Sequence, residues 1–349
     1  MSRSLTIASR VIDDDSDAFV IAEIGHNHQG DLETAKKLFK AAKECGADAV
    51  KLQKRDNRAL FTAEIYNSPY ISENSYGKTY GEHREYLEFG REEYLALRDY
   101  ARELDIIMFA TAFDFPSADF LAELDMPAFK MASGDLTNTP LLKHVASFGK
   151  PMIISTGGAT LDDVRRAHDA IMPINPQLAI LQCTAAYPCE PQDMNLNVIR
   201  TFRQTFPRAV VGLSDHQSGI AMATVAYVLG ARIIEKHFTL NRAWRGTDHA
   251  FSLEPIGLRK LVRDLRRARV ALGDGVKRPL ELEEPPLFKM GKKLVAARAL
   301  AAGTVLGPED VVAKSPGGGL PPYELENLLG RRLKRELAPD QEISFADLE

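Results

Sequence analysis

Two histidines mark where this chain could do chemistry. His216 ends the apolar run at 210–216, and His237 stands near the end of a second run at 232–238. The chain between them is about one βα unit long, so neighbouring parallel strands would bring both imidazoles to the same rim. Neutral imidazole is the commonest metal ligand. Two of them on adjacent strand ends could hold one divalent ion with most of its coordination sphere open. The alternative is a pair of hydrogen-bonded rim histidines.

Two lysines point to an anion at the same rim. Lys51 and Lys130 stand in otherwise apolar segments. A buried lysine without a partner is costly, so each requires a negative charge. Glu23 or Asp135 could supply it, or a bound phosphate or carboxylate could. Hydroxyls at Thr111, Ser133, Ser155, Thr184 and Ser214 are suitable donors to phosphate oxygens. Lys130 could instead form a Schiff base if desolvation removed its proton.

The elements that must position these groups are eight short apolar segments, near 19–25, 49–53, 106–111, 128–135, 151–157, 178–184, 210–216 and 232–238. Helical segments separate most of them. Continuous apolar runs, rather than alternating ones, indicate a parallel sheet covered by helices. Eight such units predict an α/β fold, a (β/α)8 TIM barrel, with its chemistry at the C-terminal strand ends. A doubly wound open sheet would need a Gly-rich fingerprint after the first strand, and none stands there. Asp31 is placed to cap the first barrel helix. The polar connection at 55–90 is long enough for a lid or binding loop. Residues 1–275 thus form the barrel domain. Pro279, Pro285 and Pro286 punctuate a linker at 276–290, and 291–349 form a small, mainly β domain that is marginal alone and needs a docking surface.

Bulk properties exclude several other roles. A formal net charge of −4 gives no sign of nucleic-acid or anionic-membrane binding. No stretch approaches the roughly 18 apolar residues of a membrane span. The start of the chain lacks the apolar core of a secretory signal. Three cysteines, Cys45, Cys183 and Cys189, fit a reducing compartment better than a disulfide framework. The expected location is the cytoplasm.

In order, the rim segments resemble those of the sialic acid synthase family. The matching stretches are AEIGHNHQG at 22–30, VKLQ at 50–53, FKMASGD at 129–135, ISTG at 154–157, QCTAAYP at 182–188, GLSDH at 212–216 and EKHF at 235–238. The C-terminal region is similar to the antifreeze-like (SAF) domain that this family appends to its barrel. The resemblance implies condensation of phosphoenolpyruvate with the open-chain aldehyde of an N-acetylhexosamine such as N-acetylmannosamine, with release of phosphate. It implies that His216 and His237 ligate Mn²⁺ or Mg²⁺, and that Glu23 is the catalytic carboxylate. Lys51, Lys130, Thr111, Ser133, Ser155 and Ser214 would contact phosphoenolpyruvate. Gln53, Asn74, Asp135, Tyr187 and Asp248 would face the sugar. It further implies a domain-swapped homodimer in which residues 291–349 cap the partner's barrel.

Two features bear on the sugar. Ser315 stands where many relatives carry an arginine, and the loop at 75–83 with Gly134 and Asp135 resembles the branch that uses a 6-phosphorylated hexosamine. Lys78, Arg84, Arg242 or Arg245 could meet such a phosphate, or could be solvated surface charges. His26 and His28 read as structural rim residues. A related phosphoenolpyruvate aldolase and a non-catalytic sugar- or phosphate-binding barrel are the competing classes.

Overall fold

The chain begins with a hairpin, β1 (Ser4–Ile7) and β2 (Arg10–Asp13), and continues into eight parallel strands. These are β3 (Phe19–Gly25), β4 (Ala49–Lys54), β5 (Ile107–Ala112) and β6 (Phe129–Met131), then β7 (Met152–Ser155), β8 (Leu178–Cys183), β9 (Val210–Asp215) and β10 (Ile233–His237). They close into a barrel in chain order, with β10 pairing back onto β3. The computed structural model describes residues 3–349 and divides into two compact units, Met1–Gly273 and Asp274–Glu349.

Side chains alternate across each strand, so parity sorts them into two environments. Val50, Leu52, Met108, Ala110, Ile154, Val211 and Ile234 face outward and join the core beneath the surrounding helices. Phe19, Ile21, Ala49, Phe109, Ile153, Ala179, Leu181, Val210 and Ile233 face inward and fill the lower half of the barrel. Leu5, Ile7 and Ile12 from the N-terminal hairpin pack into that same cluster and close the bottom. Space there is tight. A Cβ on Gly212 would lie 2.4 Å from Ile233 O and 2.5 Å from Leu181 Cδ2, which only glycine avoids.

Helices are started by side chains that satisfy their first N–H groups. Asp31 accepts from Thr34 N at the head of Leu32–Glu44, as expected. Asp114 and Thr160 do the same for Phe115–Glu123 and Leu161–Ile171. The connection at 55–90 contains three short helices, Asn57–Leu60, Ala63–Tyr66 and Tyr80–Leu87. No helix among the described residues is long and apolar enough to cross a membrane.

The second unit has its own core of Leu294, Ala296, Leu300, Leu306, Val311, Leu328, Leu333, Leu337, Ile343 and Leu348. It is built on the antiparallel pair β11 (Lys293–Ala296) and β12 (Val311–Lys314). The segment read as a linker carries a 3-10 turn, Glu281–Glu283, and a short helix, Glu284–Met290. Pro285 and Pro286 sit in the first turn of that helix, where a missing N–H costs nothing.

Candidate active site

Above the apolar layer the inward positions become polar. They line a cavity of about 450 Å³ at the C-terminal ends of the strands. At its base Lys51 Nζ lies 2.6 Å from Glu23 Oε2 and donates to Thr111 Oγ1 at 2.7 Å. Lys130 Nζ donates to Ser155 Oγ at 2.6 Å and to Met131 O at 3.0 Å. Between the two ammonium groups stands Glu235, whose Oε1 is 3.8 Å from each and accepts from Ser214 Oγ at 3.3 Å. Two lysines and two carboxylates thus balance in a fully buried cluster.

The two carboxylates differ. Burial pushes Glu23 up to about 7, with Glu235 adding to the rise and Lys51 opposing it. Burial also opposes ionisation of Glu235, but Lys130 and Lys51 outweigh it and hold its pKa below the ordinary value. Burial lowers Lys130, with Glu235 opposing. Glu23 is aimed by a register shift in the β3–β4 pairing between Glu23 and Gly25. Gly25 has φ +51°, and a Cβ there would sit 3.1 Å from both Glu23 Oε1 and Gln53 Nε2. Gln53 Nε2 donates to Glu23 Oε1 at 2.7 Å, orienting the carboxylate.

His216 and His237 meet on one wall, with ring centroids 5.4 Å apart. His216 Nδ1 is 2.9 Å from Thr184 O. A carbonyl can only accept, so Nδ1 carries a proton, and in the neutral tautomer that this sets the lone pair is on Nε2. His237 Nδ1 is buried without a hydrogen-bond partner among the described residues, 3.8 Å from Asp248 Oδ2. Burial depresses the His237 pKa and keeps the ring neutral, with Asp248 opposing. Tyr187 and Phe251 pack against the pair, with ring centroids 4.2 Å from His216 and 4.9 Å from His237. These two histidines could hold a cation. Among the described residues no group of three or more His, Cys, Asp or Glu side chains could do so.

The outer wall carries Arg55 and Arg84. Arg55 Nη2 donates to Gln53 Oε1 at 2.7 Å, and its guanidinium lies over the Phe113 ring. Burial and then the neighbouring Arg84 lower Arg55 to about 10. Arg84 bonds to the Tyr80 hydroxyl and approaches His26, with no carboxylate contact among the described residues. His26 is buried between the two arginines and is held well below its ordinary pKa by burial and by both of them.

Of the residues singled out from sequence, Glu23, Lys51, Gln53, Thr111, Lys130, Ser133, Ser155, Tyr187, Ser214, His216, His237 and Asp248 all line this cavity. Asn74, Asp135 and Thr184 do not, and Thr184 Oγ1 instead donates to Asp193 O at 2.9 Å. Asn74 Oδ1 accepts from Gly246 N at 3.0 Å, and the Tyr76 hydroxyl donates to Arg245 O at 2.7 Å. Asn74 therefore ties two rim loops together. Asp135 turns away to Asn138 and is raised to about 6 by burial. It is also not the partner of either lysine; Glu235 fills that place beside Glu23. Of the four basic loop residues, Arg84 lines the cavity, whereas Arg242 bonds to Ala250 O and Arg245 covers the Tyr76 ring. His28 stacks on Phe89, and His83 and His249 brace loops through Tyr76 N and Thr239 Oγ1. Glu235 and Arg55 were missed. Glu235 shares its strand face with His237 and was legible by parity; Arg55 follows its strand and carries no such signal.

The NeuB family model matches residues 38–277, and the SAF domain model matches 293–349. N-acetylneuraminate-9-phosphate synthase of Homo sapiens is 42% identical over 326 residues, covering 93% of this chain and 91% of the relative. N,N'-diacetyllegionaminic acid synthase of Legionella pneumophila is 38% identical over 337 residues, covering 95% and 94%. The crystal structure of N-acetylneuraminic acid synthetase from Leptospira borgpetersenii, in complex with citrate, superposes with a TM-score of 0.71 at 32% identity. It covers 82% of this chain and 95% of its own. The chain belongs to the NeuB family, the phosphoenolpyruvate-dependent synthases of nonulosonic acids.

Proposed function

We propose that this protein joins carbon 3 of phosphoenolpyruvate to the aldehyde carbon of an open-chain N-acetylmannosamine-type sugar and releases phosphate. The observation that carries this reading is the charge-balanced Glu23–Lys51–Glu235–Lys130 cluster beside a histidine pair in one cavity. The enol carbon is a weak nucleophile, so its aldehyde partner must be polarised. His216 and His237 fit a divalent ion such as Mn²⁺ or Mg²⁺, the former through a ring oriented by its Nδ1 bond to Thr184 O, the latter through a ring nitrogen left unpaired among the described residues. Such an ion supplies Lewis-acid polarisation of the aldehyde oxygen.

The chain's own groups account for the rest. Lys51 and Lys130, with Thr111, Ser133, Ser155 and Ser214, hold the phosphate and carboxylate of phosphoenolpyruvate and stabilise charge as phosphate departs. Bond formation at carbon 3 leaves carbon 2 electron-poor. Water adds there and yields its proton to Glu23, whose pKa near 7 suits a base at neutral pH. The carbon–oxygen bond to phosphate then breaks, and the remaining hydroxyl collapses to the ketone. Gln53, Tyr187 and Asp248 stand where the sugar chain would lie.

A more specific substrate, the 6-phosphorylated hexosamine, is favoured by Arg55 and Arg84. Two neighbouring guanidiniums on the outer wall, one without a carboxylate contact among the described residues, suit a second anion. The test is phosphate release from phosphoenolpyruvate with N-acetylmannosamine or its 6-phosphate, with and without chelator. Metal-dependent release with either sugar supports the synthase reading. A preference for the phosphorylated sugar that drops roughly 10- to 100-fold in Arg84→Ala supports the second. Release with neither sugar would move the assignment to another aldehyde acceptor, and sugar binding without turnover to a non-catalytic barrel.

A further inference from the structure

We propose that the buried Asp215–Lys236 ion pair is the positioning device for the two histidines, acting through the peptide that follows His216. This rests on the reading of His216 and His237 as cation ligands. Parity sends Ser214, Glu235 and His237 into the barrel, and Asp215 and Lys236 outward, between the sheet and its helices. The two are register partners on β9 and β10, with Nζ 2.8 Å from Oδ2, and their side chains are 0% and 1% exposed. They meet neither solvent nor the cavity. A well-packed apolar pair is often at least as stable as such an ion pair, so stability alone is a poor reason for it.

Both groups also bond to one further residue, Gln217. Asp215 Oδ1 accepts from Gln217 N at 2.8 Å, and Lys236 Nζ donates to Gln217 O. Gln217 is thereby gripped at both its N–H and its carbonyl. One residue earlier, His216 O accepts from Cys189 N at 3.1 Å, and the ring is turned by Thr184 O. Each member of the pair directly precedes one histidine in sequence, so the contact couples the two ligands to each other. The need is physical. Two protein ligands make a weak chelate, and a loosely held imidazole is not drawn into place by the ion. Its direction must be set beforehand, and groups that orient ligands typically affect metal affinity by about 10- to 100-fold.

The test is direct Mn²⁺ binding to the purified full chain, read from the free-ion EPR signal without substrates. Lys236→Met leaves Asp215 buried and uncompensated and can fail to fold. The double variant Asp215→Leu/Lys236→Met removes both charges at similar volume and keeps the comparison clean. The expected result is a folded double variant, by circular dichroism and melting temperature, whose Mn²⁺ Kd is about 10- to 100-fold weaker. Its phosphate release should recover substantially at saturating Mn²⁺. A folded double variant with the wild-type Kd overturns the proposal, whatever its melting temperature, and leaves the synthase reading intact. A wild-type protein that binds no Mn²⁺ overturns the proposal together with the reading of His216 and His237 as Mn²⁺ ligands.

Discussion

The two ends of the barrel are built from the same eight strands and obey opposite rules. In the lower half the inward positions are apolar and close-packed, sealed by Leu5, Ile7 and Ile12. Two residues further along the same strands, the inward positions become Glu23, Lys51, Thr111, Ser155 and Glu235. Ile21 precedes Glu23, Phe109 precedes Thr111, Ile153 precedes Ser155 and Ile233 precedes Glu235. The lower layer supplies the stability, and the upper layer holds charges out of water in one fixed arrangement. Rigid strands let one side chain serve each purpose without a hinge between them.

That contrast can be broken most severely at the top. His237→Ala is expected to lower metal-dependent phosphate release by roughly 10⁴-fold, since Lewis-acid polarisation is worth several kcal/mol, with little change in melting temperature. Glu23→Gln, which keeps the shape and the Gln53 contact but cannot take a proton, should lower kcat by about 10²- to 10⁴-fold. Both effects are read from continuous phosphate release. At the bottom the outcome inverts. Phe109→Ala should cost about 3–5 kcal/mol of stability, seen in chemical denaturation, while turnover per folded molecule stays near wild type. Equal loss of turnover and stability in all three variants would erase the distinction between the layers.

A pH profile gives the smallest and sharpest test. The Glu23 pKa is raised from its ordinary value to about 7, mainly by burial. The base needs the carboxylate form, so kcat/KM should fall as pH drops through 7, approaching tenfold per unit below it. A limb near the ordinary glutamate pKa of 4.5 would mean that the base is elsewhere or is not desolvated.

Much of this was legible in the chain alone, for reasons that differ by residue. The strands are continuous apolar runs, and parity within them placed Lys51 with Gln53 and put both histidines on one rim. Asn74 and Asp135 stand outside the cavity lining, and both lie beyond a strand end, where spacing no longer dictates direction. The β1–β2 hairpin leaves almost no trace. Its strands have four residues each, and its turn uses Ala8 at φ +50° rather than glycine or asparagine. Glu235 was visible by parity, yet a carboxylate between two lysines has meaning only once β4, β6 and β10 are known to face one interior.

The hairpin that floors the barrel has a temporal consequence. Leu5, Ile7 and Ile12 leave the ribosome before any of the strands they pack against, and Ile233 of the same cluster emerges last among them. The earliest apolar segment must therefore wait, unsheltered, for more than two hundred further residues before its pocket exists. Such long-range closure is slow and exposes sticky surface meanwhile. Synthesis rate and chaperone capacity, more than the finished molecule's stability, should govern how much of this protein a cell obtains in active form.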